Sequence, residues 1–378
     1  MPFYLKLEKR LEPSQTAYYL VPIVSFVLAL LFGAALLALA GANPLQTYQA
    51  MVEGAFGTTE QWGQGQFYSL SETLVKAIPL MFTGLSVAIA FRMRFWNIGA
   101  EGQLVLGAVA AAGIALFLPD LLPFLPQSMW VYLPLMIIAG ILVGAIWGLI
   151  PAMLKSYLQV NEIITTLMLN YIAILWYQQL FQISWKDPAG FGFPGSAEFP
   201  VFAWLPRLTG RLHWGLILAI VAAAFVWVVM DKTRWGYEIR LIGENPAAAR
   251  YAGVSLARNI VLVMLMSGGL AGLAGMVEVG AIAHRLQEGL AIGNGFTGII
   301  VAWLAKLSPW GVLLWSLLLA ALFVGGDQIQ ISMGLPASVA LVLQGAILIF
   351  VLGGDIFTRY RLRVIRPTPQ PAAQPASK

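Results

Sequence analysis

Again and again along its length this chain presents runs of about twenty residues made almost wholly of Leu, Ala, Ile, Val, Gly and Phe, and about twenty such residues are what one helix needs to cross a bilayer core. About ten runs stand out, near 17–40, 73–91, 97–118, 131–154, 161–181, 213–230, 259–281, 290–305, 310–326 and 336–353. Only 10% of the residues are charged, against roughly 25% in a soluble domain, so water is not the main solvent. Backbone groups in lipid must be satisfied within the segment, which leaves helices or a closed barrel. The runs lack the strict alternation of barrel strands. The expected fold is therefore all-α, a polytopic helical membrane protein with about ten spans. Residues 1–16 and 359–378 flank a membrane domain over 17–358.

Lys and Arg are retained on the cytoplasmic side, so Lys6, Lys9 and Arg10 place the N-terminus inside. The loop 41–72 carries Glu53, Glu60 and Glu72 but no Lys or Arg, and so lies outside. Arg92, Arg94, Lys155, the cluster between Lys232 and Arg258, Lys306 and the tail residues Arg359, Arg361, Arg363 and Arg366 then fall inside. The outer loop 182–212 dissents, with Lys186, Arg207 and Arg211. The expected location is the cytoplasmic (plasma) membrane, with multiple passes and both termini inside. The net charge of +5 records this retention and calls for membrane lipid, not nucleic acid, as its partner.

Several chemistries are excluded or unsupported. There is no cysteine, hence no disulfide framework, cysteine nucleophile or thiolate metal site. His213 and His284 are far apart in sequence and read as solvated loop-edge residues, so no metal site is expected. No G-x-x-x-x-G-K-[ST] phosphate loop occurs, so any ATP-driven role needs a separate ATPase chain that holds the ATP and Mg. No cofactor is expected in this chain, and no nucleophile–base pair offers itself for a membrane enzyme.

Three stretches carry polar residues that need an explanation. The inside loop 231–258 contains a short helix with both ends written into it. Asn245 is a good N-cap, Pro246 suits the first helical position, Ala247–Ala249 favour helix, and Gly253 can supply a left-handed stop. Docking to another protein and lying among lipid headgroups both fit this spacing. In "RMRFWNIGAEGQ" at 92–103, Asn97 and Glu101 are expected on one helix face, with Gln103 beside them. They either line a solute path or brace the helix break, with Glu101 paired to Arg92 or Arg94. Along 161–179, Glu162, Thr166 and Asn170 recur every fourth residue and Gln178 continues near that face. This stripe is either pore lining or interhelical hydrogen bonding. "SGGLAGLAG" at 267–275 is a close-packing signal.

"NIGAEGQLVLGAVAA" at 97–111 echoes "IGNGFTGIIVAWLA" at 292–305, each followed by a helix led by proline, at Pro134 and Pro309. With five spans between the copies this suggests a five-plus-five inverted repeat, with chance likeness of Gly/Ala-rich helices as the alternative.

"FWNIGAEGQLVLGA", "NEIITTLMLNYIA", "RLIGENPAAARYAGVS", "SGGLAGLAGMVEV", "GFTGIIVAWLA" and "VLQGAILIF" resemble, in that order and over roughly 70–352, permeases of the ribose/branched-chain-amino-acid group of ABC importers, with the nucleoside and simple-sugar branch most similar. The resemblance implies a permease subunit paired with a second permease, identical or different. It further implies ATP-binding subunits and an extracytoplasmic solute-binding protein facing loops 41–72 and 182–212. Gly243, Glu244, Asn245, Pro246, Arg250 and Gly253 would belong to the coupling helix seated on the ATPase. The solute, a nucleoside or simple sugar, rests on the resemblance alone. An ion- or proton-coupled secondary transporter is the alternative, with Glu101, Glu162 and Glu278 as the carboxylates available to it.

Overall fold

A computed structural model describes residues 4–9, 15–336 and 338–365; Arg10, Arg366 and the end of the tail lie outside them. In chain order the elements are β1 (Tyr4–Lys9), α1 (Gln15–Leu39), α2 (Pro44–Phe56), α3 (Thr59–Gly63), α4 (Tyr68–Arg92), α5 (Ala100–Leu121), α6 (Met129–Leu158) and α7 (Glu162–Gln179). There follow β2 (Arg207–Thr209), β3 (Leu212–His213), α8 (Gly215–Lys232), α9 (Arg234–Glu244), α10 (Pro246–Tyr251) and α11 (Leu256–Glu278). The chain closes with α12 (Asn294–Leu304), α13 (Pro309–Met333), α14 (Ser338–Arg359) and β4 (Tyr360–Ile365). A helix stands at each of the ten expected places. Six are long and apolar enough to cross a membrane, or up to seven when Ile23–Leu39 and Pro44–Gly63 are taken together. The short helix α12, with eleven residues, is about 16 Å long at 1.5 Å per residue, well short of a hydrocarbon core of about 30 Å.

Two compact units divide the chain, Met1–Leu45 with Leu341–Lys378, and Gln46–Ala340. In the first, α1 and α14 pack where Gly354 admits Ser25 and the rings of Phe32 and Phe350 lie 5.9 Å apart. Strands β1 and β4 pair antiparallel, Tyr4 opposite Ile365 and Lys9 opposite Tyr360. Their alternating sequences, YLKLEK and YRLRVI, suit strands.

At the centre of the second unit stand α4 and α11, packed on one another. Almost every residue of α4 from Ala77 to Phe91 is buried, as an all-round apolar helix requires. Helix α11 packs on α5 and α6, and α4 packs on α12 and α13. The two groups so formed, α11 with α5 and α6, and α4 with α12 and α13, each contain one copy of the sequence echo, on α5 and on α12. Without a hydrophobic drive between helices in lipid, small residues that let backbones approach supply the packing. A Cβ on Gly272 would strike the carbonyl of Gly140, and one on Gly275 the carbonyl of Leu104. On α6 the residues Ile138, Leu142, Ile146 and Ile150 form an exposed apolar stripe, the face expected to meet lipid.

The loop beyond α7 is clipped to the segment that follows α11. Ser196 N–H donates to the carbonyl of Leu286 at 2.8 Å, Phe199 N–H to that of His284 at 2.7 Å, and Leu205 N–H to that of Gly280 at 2.7 Å. Arg211, one of the dissenting cations, pairs with Glu72 at 2.8 Å and so ties this loop to the start of α4. Burial corrects the expectation of solvated histidines: His213 is 1% exposed and His284 7%, the latter stacked on Trp204 at 4.0 Å between ring centroids. Loop packing, which no local pattern announces, encloses them. Burial, with His284, Arg207 and Arg211 nearby, drives the His213 imidazole down to about 4. Between that value and the ordinary value of about 6.5 the unfolded chain binds more protons than the folded one, so stability falls as pH falls through this window. A melt in detergent should therefore give a lower Tm at pH 5 than at pH 7.5. His213→Asn, which keeps an acceptor for the Gly215 amide that Nδ1 now accepts, should narrow the difference. An equal Tm at both pH values in the unsubstituted protein would contradict this.

Candidate translocation core and docking arm

The residues singled out at 92–103 converge, though not as one helical face. Helix α5 begins only at Ala100, so Asn97 sits in the preceding turn. Its Oδ1 accepts from Gly99 N–H at 2.9 Å, a local side-chain turn that competes with helix and delays its start. The amide of Asn97 donates to Gln103 Oε1 at 3.0 Å and to Ser267 Oγ at 2.9 Å. Ser267 in turn donates to the carbonyl of Ser86 at 2.8 Å. One buried network thus joins α4, α5 and α11.

Glu101 is 1% exposed and meets neither Arg92 nor Arg94, which corrects the expected pairing. Its Oε1 accepts from Gly293 N–H at 2.8 Å and its Oε2 from Gly295 N–H at 2.5 Å. Gly295 has no room for a side chain because the backbone of Glu101 lies against it. The starts of α5 and α12 therefore meet, and the carboxylate occupies the point where the two positive helix ends converge. The partner glycines lie nearly two hundred residues downstream, beyond any local pattern. Replacing Glu101 with Gln turns one acceptor into a donor facing an amide, and an orphaned buried amide costs about 1–3 kcal/mol. Glu101→Gln should lower the Tm in detergent by several degrees, and an unchanged Tm would show that the clamp contributes nothing.

The stripe on α7 splits. Thr166 and Asn170 are buried and hold the break before α5: Thr166 Oγ1 accepts from Ile98 N–H at 3.2 Å, while Asn170 donates to the carbonyl of Ile98 at 2.7 Å and accepts from Gly102 N–H at 2.8 Å. The buried face then continues through Ala173 and Tyr177, whereas Gln178 is exposed. Tyr177 donates to the carbonyl of Gln287. Glu162 forms an ion pair with Lys155 at 2.8 Å. In this conformation the buried members brace helix breaks, and their polar atoms are turned on one another and on backbone.

The capped helix of the loop 231–258 is present as expected. Asn245 Oδ1 accepts from Ala247 N–H at 3.0 Å and Ala248 N–H at 3.1 Å, with Pro246 first in α10. At the other end Gly253 N–H donates to the carbonyl of Arg250 at 3.0 Å and Val254 N–H to that of Ala249 at 2.9 Å. Gly253 has φ +79°. This pair of bonds closes the helix in the manner a left-handed glycine permits. Glu244, Asn245, Pro246 and Arg250 are exposed and Tyr251 is 97% exposed. The arm below it is firmly seated. On α9, Gly236 and Gly243 share a face, the first against the carbonyl of Met230 and the second against that of Arg92. Gly243 thus serves close approach to α4. A groove of about 670 Å³ is lined by Arg94, Lys155, Pro246 and Arg250.

A bundle with glycine-packed central helices, a short interior helix and an exposed capped arm has the form of a membrane-spanning transport permease. Residues 69–352 match the family model described as branched-chain amino acid transport system / permease component, and the chain belongs to that family. It is similar to a glucose ABC transporter permease protein of Haloferax volcanii, 35% identical with 95% of each chain covered. It is likewise similar to a guanosine ABC transporter permease protein of Bacillus subtilis, 34% identical over 89% of this chain and 93% of the relative. A nucleoside ABC transporter permease protein of Lactococcus lactis is 32% identical over 89% and 92%.

Proposed function

We propose that this chain is the membrane-spanning permease subunit of an ABC importer, with both termini on the cytoplasmic side of the plasma membrane, and that it carries a nucleoside or simple sugar. The observation that carries the reading is the α9–α10 arm: a short helix capped at both ends, exposed along its outer face and anchored by glycines to α4 and α8. Such an element is suited to seat an ATP-binding subunit, which would hold ATP and Mg. The solute class is supported by the names of the relatives, which divide between glucose, guanosine and nucleoside. A second permease, identical or different, and an extracytoplasmic solute-binding protein complete the assembly, the latter facing loops 41–72 and 182–212. A gradient-driven carrier is less well supported, since the similar proteins are ABC transporter permeases and two of the three carboxylates available to it, Glu101 and Glu162, are engaged by backbone amides and by Lys155. Capture of the tagged chain from its native membrane in mild detergent, with mass spectrometry of the eluate, tests the assembly. Recovery of an ATPase carrying a phosphate loop is expected. Recovery of the chain with no ATPase in several detergents would contradict the reading.

A further inference from the structure

We propose that Arg92 is a positioning residue that transmits movement of the α9–α10 arm to the short helix α12. The inference rests on the reading of that arm as the seat of an ATPase. Arg92 is the last residue of α4, and its side chain is only 15% exposed. Its guanidinium has two partners on different elements. Nη1 donates to Asp231 Oδ1 at 2.8 Å, and Nε donates to the carbonyl of Leu307 at 3.1 Å. A guanidinium is a rigid planar fork, so a displacement of Asp231 is passed to Leu307 without slack.

Each end of this link has independent support. On the arm side, Arg240 of α9 donates to the carbonyl of Met230 at 2.6 Å and approaches Asp231 Oδ1 at 3.3 Å. The glycine at 243 brings α9 directly onto the carbonyl of Arg92. The arm cannot tilt without disturbing Arg92. On the other side, Leu307 lies in the turn that ends α12, where Lys306 and Leu307 have φ +49° and +60°. Two successive left-handed residues that are not glycine form a strained turn, one that surrounding contacts must hold. The Trp303 ring of α12 adds to the connection, 6.0 Å from Phe91 and 5.8 Å from Trp96.

Helix α12 is suited to receive such a push. It is too short to cross a bilayer by itself, and it is held at its start by the Glu101 carboxylate and by Thr83, whose hydroxyl donates to the carbonyl of Asn294 at 3.0 Å. Arg92 acts on one end and Glu101 on the other. Motion of the arm thus reaches the buried junction of α5 and α12 by way of the Arg92 guanidinium.

The test uses the complex captured with its ATPase, reconstituted in proteoliposomes together with its solute-binding protein, with guanosine and glucose as uptake probes. Solute taken up per ATP hydrolysed is compared for the unsubstituted chain, Arg92→Gln, Arg92→Lys and Asp231→Asn. A coupling free energy of ordinary size predicts that Arg92→Gln lowers this ratio at least about tenfold while leaving basal ATPase within about twofold. Arg92→Lys should recover part of the ratio, because an ammonium keeps the charge but cannot bridge both partners as a fork does. Asp231→Asn keeps the acceptor and serves where Arg92→Gln fails to assemble; it should lower the ratio by a smaller factor. An unchanged ratio in an assembled Arg92→Gln complex overturns the relay. So does a loss of uptake that only follows the amount of complex recovered. If the unsubstituted complex contains no ATPase, or takes up neither probe with ATP, the importer reading falls and the relay falls with it.

Discussion

Gly275→Leu should abolish accumulation of folded protein, whereas Gly345→Leu should leave it intact. Both glycines lie within helices, so the gain in helix propensity is the same. The difference lies in what the added side chain meets. A Cβ at Gly275 runs into the carbonyl and backbone of Leu104 and the amide of Ala108, whereas among the described residues nothing lies within 4 Å of one at Gly345. Overpacking ordinarily costs about 1–3 kcal/mol when side chains can shift, but the obstacle here is the backbone of α5. Relief would require α11 and α5 to separate along the central contact of the bundle. Fluorescence-detected size exclusion of tagged variants reads the outcome directly. A monodisperse peak for Gly275→Leu equal to that of the unsubstituted chain would show that α11 does not pack as described.

Gly253→Pro should eliminate uptake while the chain still inserts and migrates normally in detergent. Gly253 has φ +79° and donates to the carbonyl of Arg250. Proline is fixed near −65° and has no N–H, so it can satisfy neither requirement, and the last turn of α10 must open. Gly253→Ala keeps the donor and pays only the left-handed cost of about 1–2 kcal/mol, so it should retain most of the uptake. The site is solvent-exposed, with nothing near a Cβ, so the effect belongs to helix closure and not to clash. Full uptake by Gly253→Pro would show that the arm's closed geometry is not needed for transport.

What could be read from the sequence, and what could not, follows the range of the interaction concerned. The helices are legible because hydropathy is summed residue by residue, and one lies at each expected place, although among the described residues only six, or up to seven, are long and apolar enough to cross a membrane. The arm is legible for the same reason: Asn245, Pro246 and Gly253 act on backbone groups within three or four residues of themselves. Asn97 marks the boundary of that method. The spacing to Glu101 suggests one helical face, but the side chain of Asn97 bonds to Gly99 and the helix begins after it. The same limit hides the partners of Glu101, which are amides nearly two hundred residues away. It also hides the pairing of Tyr4–Lys9 with Tyr360–Ile365, where alternation was present in both segments but neither announced the other. The burial of His213 and His284 is not legible, because it depends on a loop folding back on the segment after α11. Glycine stripes fall between these cases: "SGGLAGLAG" shows that helices approach closely, and only the fold shows that α5 and α6 are the ones that do.

If this chain is the permease of an importer, ATP hydrolysed by a partner moves solute through it. This is tested most directly by uptake into proteoliposomes that contain the captured complex and its solute-binding protein, with ATP on the side of the arm. Labelled guanosine and glucose serve as the solutes, with and without an imposed proton or sodium gradient. The account predicts uptake of one of these that requires ATP, is indifferent to the gradient, and is lost with Gly253→Pro. Uptake that collapses with the gradient and ignores ATP would contradict it and identify a gradient-driven carrier instead.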